Sequence, residues 1–276
     1  MRLRLAEAGW LGPASAVAAL LLVGAALLYW NGKAQAWEVN ADTITYIAAG
    51  ERLNAGHPLY ALSPGDRPIA PRPPYETVPL LSPPFIAVLW RPLAALPNEF
   101  GRYLWWFGTF AAIWGTLAYL LFRIGLRAAV VVGMLSWAIG IELLVGNVNG
   151  FLITGVVLVW LYREQAWVGG LIAVMAALKL GPAALLVFLA GQRNWRSLGV
   201  ALGVGAVCLG MSLIGAGVQA HLDYIGIAGQ IYPQDFSLSA LTGVPWMNSA
   251  VLVGGSVLSL SRRRRSPTSP SAWQFL

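Results

Sequence analysis

The sequence contains little charge. Of its 276 residues, 11% are charged and 58% are hydrophobic, whereas an average soluble domain carries roughly 25% charged residues. The mean hydropathy of +0.66 agrees with that imbalance. This composition excludes an ordinary water-soluble globular protein.

Signals for cofactors, metals and nucleic acids are also missing. The single cysteine, Cys208, excludes an intramolecular disulfide, and no Cys/His cluster has zinc or iron–sulfur spacing. The nucleotide-binding GxGxxG and Walker patterns and the serine nucleophile elbow do not occur. The net charge of +7 is partly due to the run Arg262 to Arg265, which follows the last apolar stretch and is typical of a cytoplasmic membrane boundary. We therefore expect no cofactor, no metal and no nucleic-acid partner.

Apolar runs recur along the whole chain. They predict an all-α, polytopic transmembrane bundle of about eight spans plus a re-entrant or short segment. We assign residues 1–260 to this single domain and 261–276 to a basic, disordered cytoplasmic tail. The run at 11–30 ends in interfacial aromatic residues, so we interpret it as an uncleaved anchor rather than a signal peptide. The further runs are 83–97, 103–122, 128–146, 151–162, 167–178, 182–190, 198–217 and 245–260.

The arginines predict how these segments are oriented. If 83–97 dips into the membrane and returns, the short arginine-bearing connections all lie on the cytoplasmic side; if it crosses, the middle of the chain inverts. We favour the re-entrant arrangement, in which 167–190 is a broken helical pair with Lys179 at its outer tip. Residues 31–82 then form a long first external loop. It carries an interfacial amphipathic helix at 41–53 and a proline-rich stretch at 63–84.

Two charged residues at predicted membrane boundaries are candidates for chemistry. Asp42 shares a helical face with Tyr46, four residues later, and is interpreted either as a general base or as an ordinary first-turn acid. Lys179 lies in an apolar run next to the Gly181–Pro182 break. It either faces a phosphate as a point charge or extends its ammonium to the interface.

A third candidate is the sequence Gly-Asn-Val-Asn-Gly at 146–150. Its asparagines, Asn147 and Asn149, either hydrogen-bond a sugar or a neighbouring helix, or form a tight turn. Glu142 is either a functional acid or a structural partner of an arginine. For His57 and His221 we favour isolated loop histidines without a special role.

The order of these features resembles the integral-membrane GT-C glycosyltransferases, and most closely glycosyltransferase family 87. Four segments carry the resemblance: Asp42 to Tyr60, similar to an Asp-xxx-Tyr motif that ends in Gly-xx-Pro-Tyr; Ser82 to Pro97, like a Tyr-Pro-Pro segment; Gly146 to Asn149, like Gly-Gln-x-Asn; and Ala177 to Pro182, like a Leu-Lys-Pro turn. Asn147 stands where the family usually has glutamine, and Leu180 stands where it has proline.

The resemblance implies an inverting transferase that moves a sugar, mannose in this family, from a polyprenyl-phosphate donor to a glycolipid or glycan acceptor. Asp42 would be the general base and Lys179 would face the donor phosphate. Tyr46, Tyr60, Asn147 and Asn149 would bind or shape the sugar site. The implied location is the plasma membrane, with multiple passes, contact with membrane lipid and an extracytoplasmic active site. A flippase for lipid-linked sugars and a truncated, non-catalytic relative of the transferases stay open as alternatives.

Overall fold

The computed structural model describes residues 41–65, 78–124, 140 and 142–228. In these ranges the regular structure is helical and no β-strand occurs, which confirms the all-α class for this part of the chain. We number the helices in chain order: α1 Ala41–Asn54, α2 Pro84–Ala94, α3 Phe100–Ile124, α4 Asn149–Leu161, α5 Trp167–Leu178, α6 Ala184–Gly191 and α7 Trp195–Ala228. Short 3₁₀ helices occupy Pro97–Glu99 and Gly181–Ala183.

The predicted eight-span bundle is confirmed only in part. Among the residues described, α7 is the one helix that is long and apolar enough to cross a membrane. Helices α2, α4 and α5 are apolar but shorter. The predicted spans at 11–30 and 245–260, most of the one at 128–146, and the tail at 261–276 lie outside the described residues. The number of spans and the orientation of 83–97 stay predictions.

Helix α7 contains a break at Gly217. Its φ of 81° and ψ of 164° are accessible to glycine but costly for other residues. The 22 residues from 195 to 216 rise about 33 Å, close to the ~30 Å thickness of a hydrocarbon core.

His221 lies next to this break and bridges it, instead of lying in a loop as the sequence had indicated. Its Nδ1 is 2.8 Å from the Gly217 carbonyl, and its Nε2 is 2.9 Å from Oγ of Ser212. Because a carbonyl only accepts, Nδ1 is the donor in the contact with Gly217.

By its contacts the chain divides into two units, which we describe separately. In the first unit (described residues 41–44, 102–124, 140 and 142–154), helix α3 packs closely on the start of α4. A Cβ on Gly150 would clash with Cγ2 of Thr109 and lie 3.2 Å from Cδ1 of Ile113. The rings of Trp105 and Phe151 meet edge to face at 4.9 Å. A glycine at position 150 therefore permits this helix–helix contact.

In the second unit (described residues 45–65, 78–101 and 155–228), α5 and α7 run side by side through small residues. A Cβ on Gly169 would collide with the backbone carbonyl of Ser197, and one on Gly170 would lie 3.1 Å from Cγ2 of Val204. Small residues let helix backbones approach closely, as is common in membrane proteins. Further along the two helices, Gly205 lies beside Ala173, so α5 and α7 are parallel.

Helices α5 and α6 form a short hairpin. The 12 residues of α5 rise about 18 Å, the chain breaks at Lys179, and α6 returns from Ala184. The return is fixed by Nδ2 of Asn194, which donates to the carbonyl of Arg163 at 3.1 Å. The predicted broken helical pair, with Lys179 at its tip, is thus present as a hairpin.

Candidate active site

Asp42 lies in the first turn of α1, where the helix dipole stabilises a negative charge. Its Oδ2 accepts a 2.6 Å hydrogen bond from Nδ2 of Asn147. The interpretation as a first-turn acid is therefore right. The general-base role of Asp42 stays a prediction.

The side chain of Asn147 is oriented by the chain itself. Its Oδ1 accepts the backbone N–H of Asn149 at 2.9 Å. Since the amide oxygen must face that donor, the amide nitrogen must face Asp42. The same bond accounts for a backbone N–H at the start of α4, where helical donors lack a partner within the helix.

Two hydrogen bonds to one carbonyl hold the turn in place. The Gly146 carbonyl accepts a hydrogen bond from Oγ1 of buried Thr43 at 3.1 Å and another from Nε1 of Trp105 at 2.9 Å. Gly146 itself has a φ of 68°, a conformation that favours glycine. The segment is thus a tight turn, and its asparagine also contacts a neighbouring helix. The tight-turn interpretation and the helix-contact interpretation of this motif each describe part of the structure.

Glu142 joins the same group of residues. Its Oε1 accepts a 2.7 Å hydrogen bond from Nδ2 of Asn149, so one of its partners is an asparagine of the segment 146–150. Together the residues form a continuous chain of hydrogen bonds, which we call the Asp–Asn relay: Asp42, Asn147, Asn149 and Glu142. The sequence left the role of Glu142 open, because a spacing of seven residues across a turn does not identify a partner.

Lys179 belongs to the second unit and caps the C-terminal end of α5. Its backbone is extended, with φ −155° and ψ 125°, and its N–H donates to the Met175 carbonyl at 2.9 Å. Its side chain is exposed. Gly181 and Pro182 begin a new 3₁₀ helix and so interrupt the helical run. Lys179 therefore lies at the tip of the α5–α6 hairpin rather than within a helix.

The two tyrosines assigned to the sugar site are buried in the second unit. Tyr46 is 3% exposed and its ring centroid lies 6.2 Å from that of Trp90. Tyr60 is 5% exposed and donates its hydroxyl to the Ser82 carbonyl at 2.6 Å. Both side chains therefore pack inside the protein. If they shape a sugar site, they do so by positioning the residues around them.

The environment of Tyr60 keeps its hydroxyl protonated. Burial raises the pKa of Tyr60 well above its ordinary value, and the neighbouring Tyr224 and Asp223 raise it further. The Tyr224 ring centroid lies 5.8 Å from that of Tyr60. A protonated hydroxyl is required for the bond to Ser82.

Arg52, which no sequence motif singles out, is only 6% exposed. Its guanidinium donates to the carbonyl of Pro58 at 3.0 Å and also to that of Ala61. A buried cation needs such partners, and here it fixes the segment that leads to Tyr60. The available signal was an arginine in the last turn of a helix that ends two residues before a Gly-His-Pro sequence.

Within the part of the chain that the structure describes, no three His, Cys, Asp or Glu side chains cluster as metal ligands would. The expectation of a metal-independent site stays a prediction.

Comparison with known proteins assigns the chain to a family. The model of glycosyltransferase family 87 matches residues 81–276, so Asp42, Tyr46 and Tyr60 precede the matched region. No solved structure matches the chain.

Two curated relatives, from Mycolicibacterium smegmatis and Mycobacterium tuberculosis, share the same name: polyprenol-phosphate-mannose-dependent alpha-(1-2)-phosphatidylinositol pentamannoside mannosyltransferase. The first is 30% identical over 203 residues, covering 70% of this chain and 48% of the relative. The second is 29% identical over 233 residues, covering 79% and 52%. The chain thus spans about half the length of these relatives. Because the family model covers well over half of the sequence, this chain belongs to glycosyltransferase family 87.

Proposed function

We propose that this protein is an integral-membrane glycosyltransferase that moves a sugar, mannose by analogy with the names of its relatives, from a polyprenyl-phosphate donor to a lipid-linked or glycan acceptor. The active site faces the non-cytoplasmic side. The observation that carries the proposal is the 2.6 Å hydrogen bond between Asn147 and Asp42, because it brings together two motifs that the resemblance assigns to one site.

Asp42 is the general base of the proposed reaction. It takes the proton of an acceptor hydroxyl while that oxygen forms a bond to the anomeric carbon of the donor sugar. The bond between this carbon and the phosphate oxygen breaks, and polyprenyl phosphate leaves with the electron pair. A single displacement inverts the configuration and requires no covalent nucleophile.

The relay supplies what a base of this kind needs. Asn147 donates to one carboxylate oxygen and thereby limits rotation of the Asp42 side chain, while the first turn of α1 stabilises its charge. Positioning a reacting group in this way lowers the entropic part of the barrier. Asn149 and Glu142 hold the turn from which Asn147 extends.

Lys179 provides the cation for the donor phosphate. Its exposed side chain lies at the tip of a hairpin, and a fixed positive charge stabilises the charge that develops on a leaving phosphate. This role rests on the resemblance and on the charge of Lys179, independently of the relay.

The test is transfer of radiolabelled mannose from a polyprenyl-phosphate donor, in membranes that carry the protein. Asp42→Asn is expected to lower transfer about 10²- to 10⁴-fold, the usual contribution of a general base. Glu51→Gln is the matched control, because Glu51 is an exposed carboxylate on the same helix, and it should keep wild-type transfer.

Other outcomes separate the alternatives. Donor that crosses the membrane without a new glycosidic bond would identify a flippase. Equal transfer by the wild type and Asp42→Asn would remove Asp42 from the mechanism. No product from the wild type with any glycolipid acceptor, in membranes that contain the inserted protein, would favour a non-catalytic relative.

A further inference from the structure

One end of the second unit exposes tryptophans and arginines together. Trp160 is 66% exposed and Trp195 is 67% exposed, although both are large apolar side chains. They lie at the connections from α4 to α5 and from α6 to α7. We call the following set the arginine–tryptophan platform: Trp160, Arg163, Trp167, Arg193, Trp195 and Arg196.

Hydrogen bonds join the two connections into one surface. Nδ2 of Asn194 donates to the Arg163 carbonyl at 3.1 Å, and Oγ of Ser197 donates to the Gln165 carbonyl at 3.2 Å. Oδ1 of Asn194 also accepts the backbone N–H of Ser197 and so caps α7. Arginines about thirty positions apart in sequence are therefore held at the same end of the unit.

The platform is positively charged. It contains three arginines, and the only acid in the two connections is Glu164. The guanidinium of Arg163 lies 5.6 Å from the centre of the Trp160 ring, a cation–π arrangement that leaves the positive charge beside an apolar surface. Arg193 and Arg196 are exposed.

The position of the platform along α7 indicates what it contacts. Trp195 begins this helix, and the unbroken segment that follows is about as long as a hydrocarbon core is thick. Tryptophan prefers the headgroup layer of a bilayer, and arginine there is attracted to anionic lipid. The platform therefore combines the two residue types that recognise the boundary of a negatively charged leaflet.

We propose that the arginine–tryptophan platform is a binding site for the headgroup of an anionic phospholipid in the surrounding bilayer. The arginines bind the lipid phosphate, for which guanidinium has matching geometry, and the tryptophan rings lie against the glycerol and upper acyl region. A zwitterionic lipid carries a compensating cation, so it binds less tightly. The proposal does not depend on the transferase reaction.

The test measures lipid binding to the purified full chain in detergent by native mass spectrometry. We expect dioleoyl-phosphatidylglycerol to bind at least tenfold more tightly than dioleoyl-phosphatidylcholine. The variant Arg163→Gln/Arg193→Gln/Arg196→Gln should lose this preference. Replacing the same three arginines by lysine keeps the charge and should retain most of it.

Three outcomes would overturn the proposal: equal binding of the two lipids by the wild type, an undiminished preference in the glutamine variant, or displacement of the lipid by millimolar inorganic phosphate, which would identify a soluble anion as the ligand. If the triple variant does not fold, Arg193→Gln and Arg196→Gln replace it, because both side chains are exposed. Each should weaken phosphatidylglycerol binding about fivefold, and unchanged binding in both would contradict the proposal.

Discussion

The amide of Asn147 donates a 2.6 Å hydrogen bond to the carboxylate of Asp42, which lies 105 positions earlier in the chain. Asn147 cannot present its oxygen instead, since that oxygen accepts the backbone N–H of Asn149. Asp42 is consequently held as an acceptor by a turn whose own geometry is fixed. Within the first unit this contact joins the start of α1 to the turn that precedes α4.

Under the proposed function, Asn147→Leu lowers kcat about 10- to 100-fold, because a hydrogen bond to a charged group contributes about 1.5–3 kcal/mol. Asn147→Gln keeps the amide, and glutamine stands at this position in the motif that the segment resembles, so this variant should retain most of the activity. Steady-state transfer assays at saturating donor measure both. Full activity of Asn147→Leu would show that the amide does not position the base.

Asn147→Asp tests the same contact through pH. Two carboxylates within hydrogen-bonding distance cannot both be ionised easily, so one retains its proton to a higher pH. The acid limb of the kcat profile should therefore move to higher pH relative to the wild type. If Asn147 had only a structural role, the substitution would change kcat but not the pH of the acid limb.

Lys179→Met is expected to raise the KM for the polyprenyl-phosphate donor about tenfold, because a point charge facing the phosphate is lost. The KM for the acceptor should change much less. Lys179→Arg should recover part of the effect. The matched control is Lys33→Met, which removes the only other lysine of the chain. Equal changes in both KM values would argue against a donor-specific role.

Tyr60→Phe removes the hydroxyl that donates to the Ser82 carbonyl, at a cost of about 1 kcal/mol near neutral pH. Because the folded-state pKa of Tyr60 is raised above the unfolded value near 10, its contribution is fully present below about pH 10. Above pH 10 the free energy of unfolding falls by at most about 1.4 kcal/mol per pH unit because of this group.

Thermal unfolding from pH 7 to 11 should thus show a shallower alkaline decline for Tyr60→Phe than for the wild type. The exposed Tyr103 provides the control: Tyr103→Phe should follow the wild-type curve. If the Tyr60→Phe curve runs parallel to the wild-type curve above pH 10, the pKa of the Tyr60 hydroxyl does not change on unfolding.

Gly169→Ala should destabilise the contact between α5 and α7 by about 1–3 kcal/mol, because the new Cβ collides with the Ser197 backbone carbonyl. The control is Gly203→Ala on α7, where a Cβ would meet nothing within 4 Å. That change should be neutral or stabilising by up to about 1 kcal/mol, since alanine favours helix. Thermal unfolding in detergent measures both, and equal midpoints would contradict the packing described here.

Much of the local structure was predictable from the sequence because it depends on neighbouring residues. The helix predicted at 41–53 is Ala41–Asn54, and the pair predicted within 167–190 is α5 and α6 with their break at Lys179. Apolar runs, a Gly–Pro break and a first-turn acid are local signals. The order of four weak motifs was also sufficient to identify the family.

The tertiary structure decided which residues meet. No spacing indicates that Asn147 contacts Asp42, that Asn149 contacts Glu142, or that Arg52 is buried against two loop carbonyls. The spacing of residues also does not indicate that Tyr60 is buried, or that the chain after α6 returns to Arg163. The sequence determined the membrane-type composition, the helices and the family, which follow from residue chemistry and short-range periodicity. The partners depended on the folded backbone, because hydrogen bonds between distant residues form only where packing brings donor and acceptor within about 3 Å.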